Sequence, residues 1–376
     1  MTNPLQQLAQ AGQSIWLDYM HRKLMETGEL KRLIAEDAVT GMTSNPSIFE
    51  KAIGAGGDYD DRIEAALKAG VVKPIDLYER LAIKDIQDAA DQLKPVWDRT
   101  GGRDGYISLE VAPGLALETQ PTIEEARRLR AAVDRRNLMV KVPGTQAGTP
   151  AIRQLIGEGI NVNVTLLFGL DAYDAVAEAH VAGLEAFKAS GGDISKVHGV
   201  ASFFVSRIDT EIDKQIDQRV QDGDAEAEAL KAVRGKVAIA NAKIAYQHYL
   251  EMLKTPRWQA LAAAGAAPQR LLWASTGTKD PAYSDVLYVE SLIGPDTVNT
   301  MPTKTLEAFK DHGKVRQTLT DDVEGAREVM AAQQRLGLDL RCVTDKLVVE
   351  GVKSFTESFD KLLAAVASRR TELVGA

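Results

Sequence analysis

Met139-Val-Lys-Val-Pro143 sets a lysine inside a run that otherwise reads as a buried strand. Burial disfavours the charged form of an amine, so a lysine held in apolar surroundings gives up its proton more readily than one in water. An uncharged amine is a nucleophile toward ketones. The chemistry this implies for Lys141 is a Schiff base, through which carbon–carbon bonds are made and broken. Acid–base partners stand on neighbouring segments. Tyr106-Ile-Ser-Leu-Glu110-Val111 alternates with period two and lines Glu110 up with Ser108 and Tyr106. Asn161-Val-Asn-Val-Thr165 alternates likewise, with Asn161, Asn163 and Thr165 on one face. Each residue has a plainer explanation when taken singly. A strand lysine is commonly an edge residue with its ammonium in water. An Asp or Asn at a strand end is commonly a turn former or helix cap. Glu110 could serve a structural ion pair, with Lys141 itself as the partner.

Convergence of these groups depends on the elements that carry them. Short apolar runs at Ser14–Asp18, Ala38–Thr43, Gly105–Val111, Leu138–Val142, Gly159–Leu166, Val197–Ser202, Arg270–Ser275 and Thr297–Met301 read as strands. Between them lie helical patterns: Asp76–Trp97, Leu170–Ser190, Pro281–Ile293, Thr303–His312, and a helix to about Asn137 opened by the capping box Thr122-Ile-Glu-Glu125. Strand–helix alternation implies parallel strands with crossover helices. Eight strands fit a closed α/β (β/α)8 TIM barrel with additional helices; an open doubly wound sheet is the alternative. Asp18, Thr43-Ser44-Asn45, Glu110, Lys141, Asn163 with Thr165, Ser202 and Ser275 all fall near the C-terminal ends of their runs. Barrel enzymes keep their chemistry at that mouth.

The chain of 376 residues reads as a single domain over 1–376. A helical insertion at about 205–260 and C-terminal helices at about 321–370 belong to it. The region between Phe49 and Trp97 has room for more than one helix. The tail after Asp321 is free either to cover the barrel or to meet a second copy in a homodimer. The formal charge of −8 argues against nucleic acid as a partner. No run approaches a membrane span, and the first residues lack a signal-peptide layout. One cysteine, Cys342, and five scattered histidines argue against an internal disulfide and a His/Cys metal site, and favour a cytoplasmic location. Gly54-Ala-Gly56-Gly57 follows a helical pattern rather than a strand, so it is not read as a nucleotide loop. Trp16, Trp97, Trp258 and Trp273 read as packing residues.

The motifs resemble those of the transaldolases. The similar segments are Gly-Met-Thr-Ser-Asn-Pro-Ser (Gly41–Ser47), Ser-Leu-Glu-Val (Ser108–Val111), Val-Lys-Val-Pro (Val140–Pro143) and Gly-Ile-Asn-Val-Asn-Val-Thr-Leu-Leu-Phe (Gly159–Phe168). Ser-Phe-Phe-Val-Ser-Arg (Ser202–Arg207) and Trp-Ala-Ser-Thr (Trp273–Thr276) complete the order. Met-Thr-Ser-Asn-Pro and Ala-Ser-Thr-Gly-Thr-Lys look like the longer bacterial branch of that family. The resemblance implies transfer of a dihydroxyacetone unit from sedoheptulose 7-phosphate or fructose 6-phosphate to glyceraldehyde 3-phosphate or erythrose 4-phosphate. That is a step of the non-oxidative pentose phosphate pathway, with no metal and no organic cofactor.

The resemblance also implies roles. Lys141 matches the Schiff-base lysine. Glu110 matches a carboxylate that moves protons through a water, which Thr165 orients. Asp18 matches the acid–base at the C4 hydroxyl. Asn45 and Asn163, helped by Ser202, match partners of the substrate hydroxyls, and Phe204 lines the wall. Arg207 matches a phosphate-binding arginine. A second family arginine falls two residues after the serine matched by Ser275; here Gly277 stands there, and Lys279 is the expected substitute. Two rivals remain at this level: a Schiff-base fructose-6-phosphate aldolase that releases dihydroxyacetone, and a non-catalytic sugar-phosphate-binding protein. The related aldolases lack the glutamate matched by Glu110, and mere binding needs neither Lys141 nor the carboxylates.

Overall fold

The computed structural model describes residues 3–54 and 57–375. Eight parallel strands close a barrel: β1 (Gln13–Asp18), β2 (Val39–Thr43), β3 (Ile107–Glu110), β4 (Leu138–Pro143), β5 (Val162–Leu167), β6 (Gly199–Phe204), β7 (Arg270–Ala274) and β8 (Thr297–Met301). Each pairs with the next, and β1 pairs with β8. This is the (β/α)8 architecture, and all eight strand segments expected from the sequence are present. β3 is shorter than expected, and Ser275 falls just past the end of β7.

Core packing follows the two periods in the sequence. Strands β3 to β8 are buried along their whole length. Apolar side chains such as Val140, Val142, Val162 and Val164 are fully enclosed, while the alternate residues point into the barrel. Trp16, Trp258 and Trp273 are buried, and Trp97 packs half-buried against the core. At the N-terminal end of the barrel a polar plug forms. Trp16 Nε1 donates to Asp104 at 2.6 Å, Arg270 donates to Ser14 Oγ at 2.7 Å, and Ser14 donates to Asp104. Asn161 belongs to this end. Its Nδ2 donates to the Arg136 carbonyl at 3.0 Å, and its Oδ1 accepts from His198 N–H at 2.9 Å.

Two helical expectations change. The helix expected from Thr122 begins one turn earlier and spans Thr119–Val133. Thr122 Oγ1 donates to the Leu115 carbonyl at 2.9 Å instead of capping, and Asp134 in a left-handed conformation ends the helix before Asn137. Pro121 fits the first turn because its missing N–H would have no helical partner there. The helix expected over Pro281–Ile293 is confined to Leu287–Ser291. Asp280 caps the Ala282 N–H at 2.8 Å and Tyr283 donates to Asp213 at 2.8 Å. These local and tertiary bonds hold the segment as turns. Between β2 and β3 lie helices Pro46–Gly54, Asp60–Lys68 and Pro74–Arg99. The middle of Gly54-Ala-Gly56-Gly57 lies outside the described residues.

The segment after β6 folds as helices Ser206–Gln221, Ala227–Val233, Val237–Lys254 and Pro256–Ala262. Ile208, Ile212 and Ile216 of the first are fully buried. Two helices follow the barrel, Val323–Arg335 and Leu340–Gly375. The second is long and packs across the helix Pro46–Gly54 and against Pro74–Arg99, Ser206–Gln221 and β5. It therefore covers the barrel mouth. Among the described residues no helix is long and apolar enough to cross a membrane.

Candidate active site

Strand register builds the centre of the site. Glu110 on β3 lies beside Lys141 on β4, and Lys141 lies beside Asn163 on β5. Adjacent parallel strands run about 4.8 Å apart, so three inward side chains in one row must meet. Lys141 Nζ lies 3.2 Å from Glu110 Oε2 and donates to the Ser44 carbonyl at 3.2 Å. Lysine and glutamate are both buried, at 4% and 8% exposure. The surroundings are thus not purely apolar, because a carboxylate shares the enclosure. Asn163 Nδ2 donates to Ser108 Oγ at 2.9 Å, and Ser202 Oγ donates to Asn163 Oδ1 at 2.7 Å. That chain spans β3, β5 and β6 and fixes the amide.

Among the described residues, buried groups without a directed hydrogen bond include two on these strands, Glu110 and Thr165. Both oxygens of Glu110 form no well-aligned hydrogen bond, and neither does Thr165 Oγ1. Unpaired buried polar groups are costly and call for an explanation. Thr165 sits in register with Pro143, two residues beyond the Lys141 row. Burial pushes the Glu110 carboxyl above the usual range; Lys141 pulls it down, and Asp18 pushes it further up.

Asp18 ends β1 beside Thr43 on β2. Its carboxylate accepts from Thr43 Oγ1 at 2.6 Å, and Thr43 Oγ1 meets Thr300 Oγ1 on β8 at 2.7 Å. By area Asp18 is half-buried, but protein surrounds it. Burial raises its pKa, while Lys141, the Thr43 hydroxyl, Arg207 and Lys279 draw it down in that order. Asp18 therefore lies within electrostatic reach of Lys141, Arg207 and Lys279.

Arg207 stands in the first turn of the helix Ser206–Gln221. Its guanidinium lies 5.2 Å from the centre of the Phe204 ring, which in turn packs on Phe168 at 5.1 Å. Burial lowers its pKa, opposed by the Asp18 charge. Cation and helix N-terminus together favour an anion there. Ser275, with φ of 55°, joins Ser206 through their hydroxyls at 2.9 Å. Leu166 beside Thr165 is also left-handed, with φ of 59°. Strained backbone of this kind clusters at functional sites. Lys279 is exposed on the loop after β7. Its neighbours fasten that loop to the helix that carries Arg207, because Arg234 bridges Asp280 and Asp217 at 2.7 Å each.

Asn45 also serves the local fold. Its Oδ1 accepts from the Ile48 N–H at 3.0 Å, so it caps the helix Pro46–Gly54 and leaves its amide nitrogen for other work. Three contributors escaped the sequence reading: the Ser44 carbonyl, Thr300 and Phe355. Asn299 is fully buried on β8 and accepts from Thr276 at 3.0 Å. The ring of Phe355 lies 5.9 Å from Lys141 Nζ, and no local pattern points to that contact.

The family model for transaldolase/fructose-6-phosphate aldolase matches residues 15–366. The chain is similar to the transaldolase of Trichodesmium erythraeum, at 49% identity over 99% of both chains. It is 48% identical to transaldolase 2 of a Nostoc species over 98% of this chain and 97% of the relative. It is 49% identical to the transaldolase of a Parafrankia species over 97% and 98% respectively. The chain therefore belongs to the transaldolase/fructose-6-phosphate aldolase family.

Proposed function

We propose that the chain is a transaldolase that passes a dihydroxyacetone unit between sugar phosphates through a Schiff base on Lys141. It is an enzyme of the transferase class, as its family implies. The observation that carries the detailed reading is the buried Lys141–Glu110 pair at 3.2 Å, with Asp18 facing the same mouth. Lys141 adds to the donor ketone, and Glu110 supplies the proton that lets water leave the carbinolamine. The resulting iminium draws electrons from the C3–C4 bond as Asp18 takes the C4 hydroxyl proton. The aldehyde leaves, and the enamine stays on the lysine until an acceptor aldehyde takes the electron pair. The directed chain from Ser202 through Asn163 to Ser108 supports a role for these groups at the substrate hydroxyls. The Thr165 hydroxyl without a hydrogen bond, and the Glu110 carboxylate held only by its ion pair with Lys141, support a water held between them. Sedoheptulose 7-phosphate or fructose 6-phosphate as donor, glyceraldehyde 3-phosphate or erythrose 4-phosphate as acceptor, a cytoplasmic location and a homodimer belong to the same reading. The lone exposed Cys342 suits a reducing compartment.

Borohydride added to protein and fructose 6-phosphate should fix the three-carbon unit to the peptide that contains Lys141. Mass spectrometry reads the site, and a label on another lysine would defeat the assignment.

Arg207 and Lys279 give a second test. Arg207→Ala is expected to lower kcat/KM for phosphorylated donors by roughly 10- to 100-fold, the value of a charge-assisted contact in a partly buried site. Lys279→Ala should cost less, about several-fold, because its ammonium is exposed. Both cations hold the Asp18 pKa down. Their removal lets it rise, so the acid limb of the pH–rate profile should move to higher pH in both variants. Equal losses on phosphorylated and free aldehydes would remove either residue from the anion site.

A further inference from the structure

The helix Leu340–Gly375 is not a barrel element, yet it presents one continuous buried stripe to the mouth. Val343, Leu347, Phe355, Leu362 and Val366 are all buried, at helical spacing. Gly351, on the same stripe, lies against Leu166: a Cβ there would come within 2.8 Å of that side chain. The helix is fastened on several sides. Lys346 pairs with Glu211 at 2.6 Å, Ser358 Oγ meets Ser47 Oγ at 2.7 Å, and Phe359 packs edge-on against Tyr78 at 5.4 Å. Arg369 pairs with Asp60 near the end. In the middle stands Phe355, only 4% exposed, with its ring 5.9 Å from Lys141 Nζ. The amine is therefore enclosed by barrel residues on one side and by an aromatic ring from the tail on the other.

We propose that Phe355 is a specificity-determining residue: its ring keeps bulk water from the nucleophilic enamine carbon, next to the carbon bound to Lys141, so that the three-carbon unit is transferred rather than released. The proposal rests on the Schiff-base reading of Lys141. In transfer, the enamine electron pair forms a bond to the acceptor aldehyde carbon, and the aldehyde oxygen takes a proton. In release, the enamine carbon instead takes a proton from water. A second water then adds to the iminium carbon, and the carbon–nitrogen bond breaks with its electron pair returning to the lysine. Dihydroxyacetone leaves. The two fates differ in the first step, the access of a proton donor to the enamine carbon. The hydrolysis that ends normal turnover is served from the Glu110 and Thr165 side, whereas the ring closes the side of the C-terminal helix. Closing a site against water suppresses side reactions of reactive intermediates.

The test supplies fructose 6-phosphate without acceptor and measures free dihydroxyacetone, then measures transfer with erythrose 4-phosphate present. Phe355→Ala should raise the ratio of release to transfer by roughly tenfold. Borohydride should then trap less adduct on Lys141 than in the wild type. Phe355→Leu, which keeps apolar bulk, should retain the wild-type ratio. Phe355→Val, a milder truncation, is read in parallel, and thermal melting identifies variants that fold. A folded Ala or Val variant with the wild-type ratio overturns the proposal. A labelled wild type with unchanged variants removes only the proposal, whereas a wild type without label on Lys141 removes the Schiff-base reading beneath it.

Discussion

Lys141→Met is expected to lower kcat by about 10⁴-fold or more, the scale on which loss of a covalent nucleophile is felt. Without the amine no iminium forms, and the C3–C4 bond loses its electron sink. Among the described residues no other lysine is placed to replace it: Lys279, the second lysine that acts on Asp18, is exposed on the loop after β7. Methionine keeps the length of the side chain against Phe355 and the strand neighbours. The change also strands Glu110, and breaking a buried pair from one side typically costs about 3–5 kcal/mol. Here burial already pushes the Glu110 carboxyl up, so it can take a proton and soften that cost. The variant should therefore fold, bind sugar phosphate through Arg207, and give no borohydride adduct. Steady-state rates with circular dichroism as a check on folding decide it. Appreciable residual turnover in a folded variant would sink the covalent route.

Much of this site was legible because a barrel turns sequence period into direction. Lys141, Glu110, Asn163 and Thr165 stand on strands of period two, near ends that share one face of the barrel. What could not be read is which residues share a row. Register depends on the stagger of the whole barrel, so Glu110 beside Lys141 and Lys141 beside Asn163 became visible only in the structure. Asn45 reads as a hydroxyl partner from its motif, yet its carboxamide oxygen is committed to a helix N-terminus. The segment after β7 shows how tertiary bonds override periodicity. Its apolar spacing fits a helix, but Tyr283 and Asp280 are drawn to Asp213 and Arg234. The stripe on the last helix was present in the sequence. That it faces Lys141 follows from packing between residues more than two hundred positions apart.

Glu110→Gln is expected to lower kcat by about 10²- to 10⁴-fold with a much smaller change in substrate affinity. Glutamine keeps the shape and can still accept a bond from Lys141, but it cannot give or take a proton. Formation and breakdown of the carbinolamine each need one moved, so both halves of the reaction slow. The wild-type group suits that work. Burial and the Asp18 charge hold its pKa above the usual carboxylate range, and Lys141 at 3.2 Å keeps it from rising unopposed. A carboxyl poised in this way exchanges protons nearer to neutrality than a solvated one. Its oxygens have no other directed partner, and Thr165 Oγ1, two residues beyond the row of Glu110 and Lys141, is likewise without a hydrogen bond. If a water bridges them, Thr165→Val should share part of the defect. The double variant should then lose less than the two single losses combined, because residues that act as a unit are not additive. Rapid quenching with borohydride measures adduct formation directly, and slow trapping in the Gln variant is the expected result. Normal turnover with a raised Michaelis constant would mean that Glu110 only helps to hold the substrate.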